Sequence, residues 1–284
     1  MMELNSQFVF RRRLQQFLIH FFLVLYSLII VFPIFWVFLN SLKNNEEIFY
    51  SPFGLPEYAR WVNYLSAWVD GNVGTAFFNS VIVTASSVLI IAIIAPMAAY
   101  ALARLNFAGK KYIFFMFLSG MFIAPVTGLV PLLKLLKNLN LVNTYPGLVL
   151  PYVAFALPLS IFILRSFFIG ISTAIEDSAI IDGASQWQIY SRIMFPLALP
   201  SVYTVLILQT VYIWNEFLFA LVFLRTENMF TLPRALASFK GSFVAEYGAL
   251  NAAVVMAAVP TILLYILFST RIRRGMAVGF SSKE

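Results

Sequence analysis

One polar stretch holds most of the side chains suited to recognition. From residue 172 to 196 it reads Ser-Thr-Ala-Ile-Glu-Asp-Ser-Ala-Ile-Ile-Asp-Gly-Ala-Ser-Gln-Trp-Gln-Ile-Tyr-Ser-Arg-Ile-Met-Phe-Pro. Thr173 with Glu176, and Ser185 with Gln188, each fit a capping box, in which a hydroxyl takes an orphan amide N–H and the longer side chain reaches back. Ile175, Ser178 and Ala179 share a face of the first helix, and Asp177 suits the positive end of its dipole. Gly183 lies where a positive φ ends that helix and redirects the chain. Pro196 stops the second helix or opens the next element. The pattern predicts a compact knob of two short helices.

Catalytic combinations are scarce elsewhere. The chain has no cysteine, which excludes disulfides, thiolate metal sites and cysteine nucleophiles. His20 is the single histidine, which removes most histidine-based catalytic and metal sites. Gly109-Lys110 resembles the end of a phosphate loop, but that loop needs glycine five residues earlier, where Arg104 stands. No nucleotide site is expected in this chain. Glu216 is the one carboxylate inside an apolar run, and an ionisable group there is costly enough to suggest function. It either hydrogen-bonds within a helix bundle or sits near the headgroups. Asn215 beside it either meets ligand hydroxyls or bridges helices. Trp61, Tyr64 and Trp68 fit an interfacial aromatic belt or a stacking surface.

The elements that must carry these residues are apolar. Of 284 residues, 61% are hydrophobic and 11% charged, against about 45–50% and about 25% in ordinary soluble domains. A soluble globular enzyme is excluded. Charge-free intervals run between Arg13 and Lys43, Asp70 and Arg104, Lys111 and Lys134, Lys137 and Arg165, Arg192 and Glu216, and Glu246 and Arg271. Each exceeds the roughly 20 residues that cross a bilayer as a helix. Six spans are expected, at about 17–39, 77–101, 112–133, 146–165, 197–224 and 247–270. Together they make one all-α membrane domain over residues 1–284. The first run is about twice the length of a signal-peptide core and ends without a small-residue cleavage site, so it reads as a retained helix. The net charge of +7 reports topology here rather than a nucleic-acid partner. With both termini inside, twelve basic residues fall on inner segments and seven on outer ones, which predicts cytoplasmic termini and a cytoplasmic 166–196 loop. The outer segments 41–75 and 225–247 are long enough to fold back or to meet a partner.

The run from Asp177 to Ser185, followed by Ile193-Met194-Phe195-Pro196, resembles the "EAA" loop of ABC-importer permease subunits, roughly E-A-A-x-x-D-G-A and then I-x-x-P. Ala179, Asp182, Gly183, Ala184, Ile193 and Pro196 match it. Asp177 and Ser178 replace the leading Glu and Ala, and Glu176 stands just before. Asn79-Ser80, the stretch Ala99-Tyr100-Ala101-Leu102-Ala103-Arg104, Trp214-Asn215-Glu216-Phe217, and Arg274-Gly275-Met276-Ala277-Val278-Gly279 are similar to the maltose-permease-like, carbohydrate branch.

The resemblance implies a type I importer permease of the bacterial or archaeal inner membrane. Its implied partners are a second permease subunit, two cytoplasmic ABC ATPases that bind ATP and Mg, an extracytoplasmic solute-binding protein, a sugar or oligosaccharide, and membrane lipid. It implies no catalytic residue, metal or cofactor in this chain. The coupling residues are Glu176, Asp177, Ala179, Asp182, Gly183, Ala184, Ile193 and Pro196, and the substrate-path candidates are Trp214, Asn215 and Glu216. An ion-gradient-driven carrier is the alternative. Such a carrier would want several intramembrane carboxylates or broken-helix ion sites, and Glu216 alone offers itself. A non-transporting scaffold would have no use for the knob.

Overall fold

A computed structural model describes residues 2–242 and 246–280, with side chains described for Arg13, 15–238 and 246–268. Every regular element among the described residues is helical. They are α1 (Met2–Ser41), α2 (Asn45–Tyr50), α3 (Val62–Val69), α4 (Val73–Arg104), α5 (Lys110–Gly120), α6 (Pro125–Asn138), α7 (Tyr145–Gly170) and α8 (Thr173–Ile181). Next come α9 (Gln186–Trp214), α10 (Leu218–Phe223), α11 (Leu232–Ser242) and α12 (Tyr247–Phe280). Among the described residues, five helices have segments long and apolar enough to cross a membrane. The pair α5 and α6, bent by 104°, makes a sixth if it is one span. Lys283 and the side chains of Arg11, Arg12, Arg271, Arg273 and Arg274, which carried much of the orientation argument, lie outside the described residues.

The chain forms two compact units, Met1–Gly71 with Phe239–Met256, and Asn72–Ser238 with Ala257–Glu284. In the first, the segment after α1 folds back on that helix's end. Asn63 Nδ2 donates to the carbonyls of Ser41 and Lys43 at 2.8 and 2.9 Å, and Trp36 Nε1 donates to Pro52 O at 2.7 Å. The Ser41 and Tyr64 hydroxyls lie 2.8 Å apart. Tyr64 is therefore held by α1, while Trp61 is exposed. Lys43 is buried, with Nζ donating to the carbonyls of Ser51 and Pro52. Burial pushes its amine below the ordinary lysine value, and the Glu47 charge opposes that.

In the second unit, α4, α7 and α9 pack mutually. Lipid tails are as apolar as leucine, so close packing of small residues and interhelical hydrogen bonds must hold such helices together. Buried Ser87, Ala95 and Ala99 on α4, Ala156 and Ser160 on α7, and Ala198 and Ser201 on α9 supply that fit. Buried Gln209 of α9 donates to the Ser160 hydroxyl at 3.2 Å and to Ala156 O at 3.4 Å. Such a bond contributes about 0.6 kcal/mol on average.

Prolines and caps set the breaks. Pro125 starts α6, and proline forces the preceding residue into extended backbone. Ala124 obeys, with ψ 132°, so α5 cannot run on into α6. The span expected at about 112–133 is therefore built from two helices, α5 and α6. Asn140, with φ 55°, closes α6 in the left-handed conformation. Its N–H bonds Lys137 O, and Leu141 N–H bonds Leu136 O. Thr144 then caps α7, its hydroxyl accepting from Gly147 N–H at 3.2 Å.

Gly147 is fixed by that close turn. A Cβ there would lie 2.0 Å from Leu141 O. Gly147→Ala should cost about 1–3 kcal/mol by overpacking and lower the melting temperature of the detergent-solubilised protein. Gly128→Ala, whose Cβ would meet Phe155 at an ordinary 3.6 Å, should melt at or above the parent temperature. Equal melting of the two variants would contradict this account of the α6–α7 turn.

Candidate functional site

The knob forms as α8 and the start of α9, joined by a glycine turn. Gly183 has φ +80°. Gly183 N–H bonds Ile180 O at 3.0 Å, and Ala184 N–H bonds Ala179 O at 2.9 Å. These two bonds close the Schellman motif that a left-handed glycine permits. The second capping box forms as expected. Ser185 Oγ accepts from Gln188 N–H at 3.3 Å, and Gln188 Oε1 accepts from Ser185 N–H at 2.8 Å.

The first capping box does not form. Ser172, not Thr173, occupies the cap position and makes no side-chain capping bond. Glu176 turns instead toward Arg104 at the end of α4, with Oε1 3.3 Å from Nε. The contact is an ion pair rather than an aligned hydrogen bond. An unsatisfied charge near buried backbone gains more from an opposite charge than an exposed amide N–H gains from a cap. Arg104 Nη2 also donates to Ile171 O, at the entrance to α8. Burial pushes the Glu176 carboxyl above the ordinary carboxylate value. The Arg104 charge pulls it back down, and the Asp177 charge pushes it further up.

Aromatic packing mounts the other half of the knob. Tyr100 of α4 meets Phe168 of α7 and Tyr190 of α9 at centroid distances of 5.7 and 5.2 Å. Its hydroxyl donates to Gln186 Oε1 at 3.4 Å. Residues Ile189–Met194 form a π-helical segment, with Phe195 N–H bonding Tyr190 O. Pro196 follows and lacks the N–H that an α-helical ladder would send back to Arg192 O. Such single wide turns are a recognised response to a disrupted ladder. Ile189, Tyr190 and Met194 are buried there.

The predicted coupling residues thus divide. Ala179 is buried, Glu176, Ala184 and Ile193 are half-buried, and Asp177, Asp182, Gly183 and Pro196 are exposed. Beside them stand three apolar side chains that the sequence pattern did not single out: Ile180, Ile181 and Trp187, with 52, 85 and 61% of their surface exposed. Neighbouring large apolar side chains exposed on a firmly mounted polar segment have the character of a contact surface. Tyr100, Arg104 and Tyr190 were missed as mounting residues. The stretch from Ala99 to Arg104 was visible only as a family likeness.

At the other end of α4, Asn79 and Ser80 are buried. Asn79 Nδ2 donates to the carbonyls of Asn228 and Phe230 at 2.8 and 2.9 Å, while Oδ1 accepts from Tyr145 OH at 2.7 Å. Ser80 Oγ accepts from Leu232 N–H at 2.7 Å. Asn143 Oδ1 accepts from the N–H groups of Arg225 and Thr226 at 2.9 and 3.2 Å. These bonds hold the segment from Arg225 into α11.

The three path candidates part company at the break between α9 and α10. Trp214 is buried, its Nε1 donating to Ala257 O at 3.3 Å. Asn215 is exposed, and its amide donates to Val211 O at 2.8 Å. Glu216 caps α10, with Oε1 accepting from Phe219 N–H at 2.9 Å and Oε2 from Ala220 N–H at 3.4 Å. Tyr152 OH donates to Oε2 at 2.6 Å. The carboxylate is satisfied by three donors. His20 is exposed on α1, its Nδ1 2.6 Å from Gln16 O.

Residues 95–275 match the family described as binding-protein-dependent transport system inner membrane component. The chain is 39% identical over 262 residues to the diacetylchitobiose uptake system permease protein NgcG of Streptomyces coelicolor, covering 92% of this chain and 87% of that one. It is 32% identical to the arabinooligosaccharides transport system permease protein AraQ of Bacillus subtilis, covering 91% and 92%. A crystal structure of a bacterial ABC transporter involved in import of the acidic polysaccharide alginate has the same fold. The match has TM-score 0.79 and 24% identity, covering 91% of this chain and 96% of that one.

Burial of the Glu176 carboxyl, only partly offset by the Arg104 charge, predicts a pH response. A carboxyl raised above its unfolded value contributes stability present below the ordinary carboxylate range and lost as pH rises through its folded value. A spin label on a cysteine introduced in place of exposed Ala174 of α8 (A174C) should therefore become more mobile as pH rises through a midpoint above that range. Arg104→Gln should move the midpoint higher, because it removes the charge that favours ionised Glu176. Glu176→Gln should abolish the transition. A pH-independent label in the parent chain would refute the assignment.

Proposed function

The chain belongs to the family of inner membrane components of binding-protein-dependent transport systems, and from that premise we propose that it is the sugar- or oligosaccharide-translocating permease subunit of an ATP-driven importer. Named relatives serve diacetylchitobiose and arabinooligosaccharides, which supports a carbohydrate substrate. The single observation that carries the mechanism is the knob's exposed Ile180, Ile181 and Trp187 on a base fastened to α4. In this reading a cytoplasmic ATPase subunit seats that surface in a groove. ATP and Mg belong to the ATPase, so hydrolysis is not performed by this chain. A second permease subunit completes the path, and both termini face the cytoplasm.

The segment from Arg225 to Tyr247 faces the solute-binding protein in this proposal. The Asn79, Ser80 and Asn143 bonds hold its first part in place, so delivery meets a set backbone rather than a loose loop. Asn215 is the path candidate open to a ligand hydroxyl, while Trp214 and Glu216 hold the helix break that presents it. An ion-driven carrier would need Glu216 to exchange a proton or ion. Its three donors and its capping of α10 weigh against that role.

Gly183 tests the coupling. No other group lies within 4 Å of a Cβ placed there, so the cost of substitution is conformational, about 1–2 kcal/mol for an ordinary L-residue. Gly183→Val should insert at near-normal levels yet lose most binding-protein-stimulated ATP hydrolysis in the reconstituted complex. Gly183→Asn, whose side chain tolerates the left-handed region, should retain most of it. Ala179→Asp should behave like Gly183→Val by placing a charge on a buried position. Full stimulation in Gly183→Val would remove the knob from the coupling step.

Crosslinking tests the delivery surface. A photo-crosslinker at position 236 should capture the solute-binding protein in the assembled importer, and one at position 187 should capture the ATPase. Capture of the binding protein from position 187 would reverse the proposed orientation.

A further inference from the structure

A cavity of about 520 Å³ lies where α5 begins, lined by Phe107, Gly109, Lys110, Lys111, Tyr112, Phe114, Phe115 and Arg165. Its volume falls within the about 300–1,000 Å³ common for small-molecule sites. Three of its lining residues are cations and none is a carboxylate. Arg104, just outside the lining, has Glu176 as a counter-charge. The cavity's own cations meet neutral groups instead. Lys110 Nζ donates to Ala103 O and Leu105 O at 3.0 and 2.9 Å, and Arg165 Nε donates to Leu102 O at 3.0 Å. The Arg165 guanidinium lies 3.9 Å above the Phe114 ring, and Lys111 Nζ lies 5.9 Å from the centre of the Phe115 ring. Carbonyls and rings orient these charges without neutralising them. Gly109 offers no side-chain cap to α5, so the positive end of that helix adds to the same field.

The cavity's flank tells which anion suits it. Tyr112, Phe115 and Met116 follow directly along α5 and are 82, 54 and 63% exposed, and α5 belongs to the bent pair that passes as a membrane span. Cations thus sit at the polar end of a helix whose next turn presents apolar surface outward. Basic pockets between membrane helices at headgroup depth have the chemistry to hold anionic lipid headgroups. We propose that this cavity binds the phosphodiester headgroup of an anionic membrane lipid, with Lys111 and Arg165 contacting the phosphate and the acyl chains lying along Tyr112, Phe115 and Met116. The site is separate from the knob and from the α9–α10 break.

Lys111 carries the test, because its amine makes no backbone bond on which the fold depends. The assembled importer, with a fluorophore on a cysteine at exposed position 108 (A108C), is reconstituted in phosphatidylcholine bilayers containing increasing fractions of spin-labelled phosphatidylglycerol. A parallel arm uses phosphatidylcholine carrying the same spin label. Quenching by the anionic lipid should exceed that by the zwitterionic one about fivefold, roughly the effect of one basic residue at such a surface. Lys111→Glu should bring the ratio near one, Lys111→Gln should lower it, and Lys111→Arg should preserve it. The Gln variant decides the matter if the Glu variant fails to assemble. Equal quenching by the two lipids in the parent chain would overturn the proposal. Displacement of phosphatidylglycerol by excess inorganic phosphate would assign the cavity to a soluble anion and overturn it equally. These readings do not require transport, so they stand or fall apart from the importer mechanism.

Discussion

Backbone leaving a membrane helix must find hydrogen-bond partners, and α4 supplies them at both of its ends. Asn79 and Ser80 take up backbone groups of the segment that runs from Asn228 to Leu232. Arg104 takes Ile171 O, and Tyr100 reaches Gln186. An α-helix rises about 1.5 Å per residue, so these two sets stand roughly 35 Å apart along one element. Buried or half-buried backbone polar groups are nearly always paired. The proposed delivery surface and the proposed ATPase contact are therefore both fastened to the same unbroken helix.

Basic residues at the C-terminal end of α4 do more than mark topology. Lys110 and Arg165 bond the last carbonyls of α4, where a helix presents its negative end and unsatisfied acceptors. Arg104 is spent on the α8 entrance and on Glu176. The local excess of positive charge follows directly, since one carboxylate faces several cations. That excess is the physical basis for an anion beside α5.

Breaks in the helices are equally specific. Pro125 bends the third interval, Pro196 accompanies the wide turn of α9, and Glu216 ends the fifth interval by capping a new short helix. A carboxylate within an apolar run is expensive, and here amide donors and a tyrosine hydroxyl compensate it. Those three bonds tie the end of α9 to the start of α10 and to α7.

Composition and charge spacing by themselves determined that the chain is helical and membrane-embedded, and where its apolar intervals lie, because a bilayer tolerates few uncompensated charges or unpaired backbone groups. The glycine turn at Gly183 and the Ser185–Gln188 box were also legible, since both rest on bonds between residues a few positions apart. The Thr173–Glu176 box was equally plausible by that local logic and failed, because Arg104, 72 positions before Glu176, offers a charge that no local pattern reveals. Long separation in sequence likewise hid the pairing of Asn79 with Phe230, of Tyr100 with Tyr190, and of Tyr152 with Glu216. Exposure of Ile181 and Trp187 was hidden too, because an apolar side chain shows as unpartnered only once every neighbouring helix is in place. Local bonds can be read from a one-dimensional pattern, whereas long-range charge and aromatic contacts exist only after the helices have packed.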